Sequence, residues 1–129
     1  MTDRDLINLA DEAKAFAYVP YSGFPVGAAI RCANGTVFTG CNVENAAYGE
    51  TICAERVAIT KAVSEGQFKF QSIAVISDAD DYCLPCGACR QVMLEFAPEL
   101  EVLCTKADGS YLSYRLTELL PHGFRLEKK

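Results

Sequence analysis

The sequence predicts an α/β fold in which a mixed sheet lies between helical layers. Three observations carry that prediction. The middle third alternates strand, helix, strand, helix, strand, an order that calls for parallel pairing through helical crossovers. Turn signals at Asn34-Gly35 and Asp108-Gly109 close hairpins on either side, and hairpin strands are antiparallel. Half of the 129 residues are apolar, enough for one compact core without disulfides, so residues 1–129 are read as a single domain.

The elements follow in order. Leu6, Leu9, Ala10, Ala13, Phe16 and Ala17 recur at three- and four-residue spacing behind Thr2, a residue suited to an N-cap, so the chain opens with an amphipathic helix that ends before Pro20. An apolar run at 26–30 and an alternating stretch at 36–41 flank Asn34-Gly35, a pair that tolerates the positive φ angles of a tight turn. Residues 51–65 are alanine-rich helix formers stopped by Gly66. The continuous apolar run 73–76 suits a strand covered on both faces. Pro85 then opens a third helix with Cys89, Val92, Met93 and Phe96 on one face, Pro98 ends it, and 100–104 returns as a strand. A last strand near 111–114 and a helical turn at 116–120 complete the chain before Pro121.

Composition narrows the function classes. The formal charge is −5 and no Lys/Arg cluster occurs, which argues against a nucleic-acid partner, since binding phosphates requires several cations in one place. Charged residues Asp3, Arg4, Asp5, Asp11 and Glu12 interrupt the N-terminal segment, so neither an export signal nor a membrane partner is expected, and the location expected is cytoplasmic. Seven cysteines, an odd number, fit thiols or metal ligands better than a disulfide framework.

Pro85-Cys86-Gly87-Ala88-Cys89 places two thiols at i and i+3 on the first turn of a helix, where unpaired N–H groups and the helix dipole favour thiolate. Cys53 stands at the start of the preceding helix. Helix N-termini that both follow strands of one sheet converge at one sheet edge, and three thiolates around a zinc ion leave one position open. Glu55, two residues beyond Cys53, is placed to be an acid/base rather than a ligand. An open zinc position activates water, and a carboxylate beside it can carry the proton to a ring nitrogen and then to a leaving amine, which is hydrolytic deamination. Zinc deaminases of nucleobases are already known to use this set, including its three-cysteine variant and its non-ligand glutamate. Three thiolates on a dication give a net −1 cluster that makes bound water harder to deprotonate, and the neighbouring Arg56 would offset that charge.

Other readings of the same residues are open. Cys83, Cys86 and Cys89 are evenly spaced and with Cys53 could close a four-thiolate structural site, making the chain a metal-stapled interaction module. Against this, Pro85 separates Cys83 from the helix start, and a closed site leaves Glu55 without a purpose. Cys32, Cys41 and Cys104 lie in expected strands and read as core filling, and His122 as a surface residue.

Cys53-Ala54-Glu55-Arg56 followed by Pro85-Cys86-Gly87-Ala88-Cys89-Arg90-Gln91 resembles the small cytidine deaminases. The resemblance runs from Tyr18-Val19-Pro20-Tyr21-Ser22-Gly23-Phe24 to Leu119-Leu120-Pro121. It implies a three-layer sandwich with a five-stranded sheet, one zinc per chain, and turnover of cytidine and 2′-deoxycytidine. It also implies that Asn42 and Glu44 grip the ribose, Phe24 stacks on the pyrimidine, and the Ala54 backbone and Glu55 bond the base. Arg56 is implied to bond the ligand sulfurs, and Tyr48 and Phe124 to complete a neighbour's pocket in a homotetramer. The alanine-rich helix 53–63 would allow close approach between subunits. A deaminase of a modified cytosine nucleoside, such as an aminoacyl-nucleoside antibiotic, would use the same metal chemistry, but the sugar-binding segment weighs against it.

Overall fold

The computed structural model describes residues 1–129. Five strands, β1 (Val26–Cys32), β2 (Val37–Cys41), β3 (Phe70–Ser77), β4 (Glu101–Thr105) and β5 (Tyr111–Arg115), form one sheet in the order β2-β1-β3-β4-β5. The β3–β4 pair is parallel and the other three pairs are antiparallel, so the sheet is mixed. Helix α1 (Asp3–Lys14) covers one face, where Leu6, Ile7 and Ala10 meet Ala29, Ala74, Ile76 and Leu103. Helices α2 (Ala54–Ser64) and α3 (Gly87–Phe96) cover the other, over Ala28, Ile30, Ile73, Val75 and Val102. The alternation of consecutive strand residues between the two clusters is the two-residue period of a strand buried on both sides. The short α4 (Leu116–Leu119) closes the second layer beside α3.

Local chemistry explains most boundaries. Thr2 caps α1 through a reciprocal pair of bonds with Asp5, and the Gly66 and Gly109 backbones take φ of +85° and +91° just after α2 and before β5. Four expectations are corrected. Phe16 and Ala17 lie beyond α1, because Ala15, Phe16 and Ala17 all donate to carbonyls three residues back, and this tighter turn rotates Phe16 out to 81% exposure. In the first hairpin only Gly35 has positive φ, while Asn34 contributes its side-chain oxygen to the Thr36 N–H. Helix α2 starts at Ala54 rather than 51, because Ile52 is held extended by two backbone bonds with Val43. The strands joined by α2 run in the same direction but do not pair, since β1 lies between them and is antiparallel to both.

That inserted strand still leaves α2 and α3 following the same ends of parallel-running strands. Their N-termini therefore meet at one edge of the sheet. Gly40 lets α2 sit close on β2, for a Cβ there would lie 2.5 Å from the Ala54 carbonyl oxygen and 2.6 Å from the Ala58 nitrogen. Ala54, Ala58 and Ala62 are fully buried in this contact, so the small face of α2 packs within its own chain and is not free for another subunit.

Candidate active site

The site is assembled by two anchored segments. On the α2 side, residues 42–44 are clamped between Tyr18, which bonds Asn42 and Glu44 through its backbone, and Ile52, which pairs with Val43. This delivers Cys53 as the N-cap of α2 next to the Asn42 segment. On the α3 side, the Cys83 N–H donates to the Thr105 carbonyl at 3.2 Å, and Arg90 donates to the Pro85 carbonyl at 2.8 Å and the Leu119 carbonyl at 2.7 Å. Pro85 thus precedes the helix, and Cys86 is its N-cap, with its sulfur accepting from the Cys89 N–H at 3.5 Å.

The sulfurs of Cys53, Cys86 and Cys89 lie within 4.8 Å of one another, with Cys53 to Cys86 at 3.9 Å and Cys86 to Cys89 at 3.4 Å. Such a trio, one sulfur fully buried and one exposed, is the donor set of an open zinc site, and the residues fit that ion. Cys83 stands outside the cluster, which removes the four-thiolate site. Arg56 Nη2 donates to Cys53 Sγ at 3.4 Å and to the Thr51 carbonyl at 3.2 Å. The Cys53 thiol is held down at about 5, first by its bond with Cys89 and, against the cost of burial, by Arg56. Cys89 is pushed up in return, first because its thiol donates to Cys53 and then because burial and the nearby Glu55 and Cys53 charges oppose a second thiolate.

Glu55 reaches the same place from the first turn of α2. Its side chain is buried, with 4% exposure, and burial raises its pKa to about 7. A cavity of about 200 Å³ in front of it is lined by Phe24, Val26, Asn42, Thr51, Cys53, Ala54, Glu55, Cys83, Leu84 and Cys86. A carboxyl poised near neutrality beside a three-sulfur metal site and an aromatic face can move protons during attack of water on a flat ring.

The comparisons with known proteins agree with this geometry. Residues 1–105 match the family model described as cytidine and deoxycytidylate deaminase zinc-binding region. The chain belongs to the cytidine deaminase family. A probable cytidine deaminase of Dictyostelium discoideum is 49% identical over 94% of this chain and 82% of its own length. The cytidine deaminase of Sporosarcina psychrophila is 46% identical over 95% of this chain and 90% of its own. The crystal structure of cytidine deaminase from Burkholderia pseudomallei superposes with a TM-score of 0.93 at 46% identity, covering 96% of this chain and 100% of that one. The fold is accordingly the three-layer deaminase sandwich, the chain is a deaminase, and its cofactor is zinc.

Of the residues expected at the site, Phe24, Asn42, Ala54 and Glu55 line one cavity with Cys53 and Cys86. Asn42 is braced by backbone, accepting from the Val26 N–H and donating to the Phe24 carbonyl, both at 2.9 Å. Glu44 lies off the cavity, its carboxylate accepting from the N–H groups of Tyr21 and Ser22 and from the Ser22 hydroxyl. Those donors, the Ser22 hydroxyl first, hold its pKa below the ordinary range. Tyr48 and Phe124 are exposed and contribute nothing to this chain's cavity. Sequence reasoning gives Arg90, Ser22 and Leu84 no role and weighs Cys83 only as a possible fourth ligand. Arg90 and Ser22 act through chain segments far from them in sequence, and Cys83 stands in the cavity wall, outside the sulfur cluster.

Proposed function

We propose that this chain removes the 4-amino group of cytidine and 2′-deoxycytidine, giving uridine, 2′-deoxyuridine and ammonia, as a cytoplasmic enzyme of pyrimidine salvage. The observation that carries this reading is the small cavity lined by Cys53 and Cys86 of the three-sulfur cluster, a buried carboxyl of raised pKa and the Phe24 side chain. Cys53, Cys86 and Cys89 would hold one zinc ion per chain, which would supply Lewis acidity toward water, with Arg56 offsetting the charge of the three thiolates. Phe24 stacks on the pyrimidine, and the Ala54 backbone, at the helix start where N–H groups lack partners within the helix, bonds its edge. Glu55 accepts a proton from the attacking water and gives it to ring nitrogen 3, which makes ring carbon 4 electrophilic. Glu55 then takes the remaining proton from the hydroxyl added at carbon 4 and delivers it to the amine, so that the carbonyl forms as the bond from carbon 4 to nitrogen breaks and ammonia leaves.

Asn42 addresses the ribose. Glu44 joins it when its carboxylate accepts from a sugar hydroxyl in addition to Tyr21 and Ser22, for it lies two residues on in the same clamped segment. The cavity is smaller than the roughly 300–1,000 Å³ of most ligand pockets. Further walls are therefore needed, and Tyr48 and Phe124 of neighbouring subunits in a homotetramer would provide them. None of the ten lining residues is cationic, which favours an uncharged nucleoside over a nucleotide. The test is the fall in ultraviolet absorbance with cytidine, deoxycytidine, cytosine, CMP and adenosine. Turnover of both nucleosides with little on the other three is expected, and a preference for CMP would overturn the nucleoside assignment.

A further inference from the structure

Resting on that reading, the cavity also says which residue meets the far edge of the base. The sulfur cluster bridges two helix starts, Cys53 on α2 and the pair Cys86 and Cys89 on α3. Ring carbon 4 must face the cluster, and ring nitrogen 3 must face Glu55, on the α2 side. In a planar ring, carbon 5 is the neighbour of carbon 4 opposite nitrogen 3. It therefore faces the α3 side, where the lining consists of Cys83 and Leu84, the two residues leading into Pro85 and Cys86. Carbon 5 carries no polar group to satisfy, and this wall offers none beyond a thiol that burial, then the Glu55 charge, keeps protonated by pushing its pKa up to about 12.

We propose that Cys83, backed by Leu84, is the specificity-determining wall for the substituent on carbon 5 of the pyrimidine. The wall is firm on the Cys83 side and soft on the Leu84 side. Cys83 is tied by its N–H to the end of β4 and packs against the main core, whereas Leu84 is 44% exposed. The sulfur itself therefore fixes the clearance. A group one carbon larger or smaller in an apolar pocket changes selectivity by about 10–200-fold.

The experiment compares kcat/KM for 5-methylcytidine and cytidine in the zinc-loaded parent and in Cys83→Ala, Cys83→Leu and Leu84→Ala. Taking the ratio within each sample cancels differences in active fraction. Cys83→Ala should raise the 5-methylcytidine to cytidine ratio about tenfold and Cys83→Leu should lower it about tenfold, the low end of that range. Leu84→Ala changes an exposed side chain, so it reports on the wall even where a Cys83 variant fails to fold, and it should raise the ratio by a smaller factor. Ratios within twofold of the parent in every folded variant would overturn the inference while leaving the deaminase reading intact. A parent that does not turn over cytidine at all would instead overturn the reading beneath it.

Discussion

Two glutamates eleven residues apart show how environment assigns roles to one residue type. Glu44 is surrounded by donors and is held as a carboxylate, an anchor for the loop at Tyr21 and Ser22. Glu55 is buried with its pKa pushed up to about 7, the range in which a group both takes and gives protons at neutral pH. The deamination needs that exchange at the water, at ring nitrogen 3 and at the departing amine. Removing the carboxyl stops all three steps and leaves the sulfur cluster untouched. General acid–base catalysis is worth about 10²–10⁴-fold for one transfer, so Glu55→Ala should lower kcat by at least about a thousandfold. The variant should still bind zinc stoichiometrically by metal analysis. Deamination within tenfold of the parent, or loss of the metal, would contradict the assignment of Glu55 as the proton carrier.

At the scale of elements, α2 carries both a sulfur and the carboxyl, so its seat on β2 sets the geometry of the site. Gly40 makes that seat, since any side chain there meets the backbone of Ala54 and Ala58. Gly40→Ala should destabilise the fold by about 1–3 kcal/mol, the usual cost of overpacking, seen as a Tm lower by roughly 4–12 °C for a chain of this size. A Tm unchanged within about a degree would show that α2 shifts freely, and the rigid seat would then be discarded. Sequence patterning located α2, α3 and every strand because their burial periods are local: Ala54, Ala58 and Ala62 recur every fourth residue, and Ala28 and Ile30 alternate with Ala29. It also placed the three sulfurs together with Glu55 close by, because helix starts fix where adjacent side chains go. It missed the insertion of β1 between β2 and β3, the tether of Glu44 to Ser22 and the brace from Arg90 to Leu119. Each of these depends on which distant segments meet, and no local period encodes that.

For the whole molecule, the open side of the cavity is where apolar surface collects. Phe24 and Leu84 on its lining are exposed, and beside them the bridged residues Tyr18, Val43 and Ile52 and the edge-to-face pair Tyr21 and Tyr48 also face outward. Exposed apolar side chains of this kind suit the subunit interface proposed for the pocket. The alanine face of α2 is spent inside the chain, so the proposed homotetramer would use this rim instead. Light scattering at micromolar concentration should give four times the 14.0 kDa chain mass, and a monomer would refute the assembly. Sharing of the pocket has a sharper test. Phe124 is 66% exposed and outside its own cavity, so Phe124→Ala should preserve the single-chain fold yet lower kcat/KM about tenfold, the scale of one lost aromatic contact. Unfolding and refolding a mixture of Phe124→Ala with an excess of Glu55→Ala chains then places an intact Glu55 beside an intact Phe124 from its neighbour. Activity per Phe124→Ala chain should recover toward the parental value. If Phe124 served only its own chain, every active site in the mixture would still lack it, and no recovery would occur.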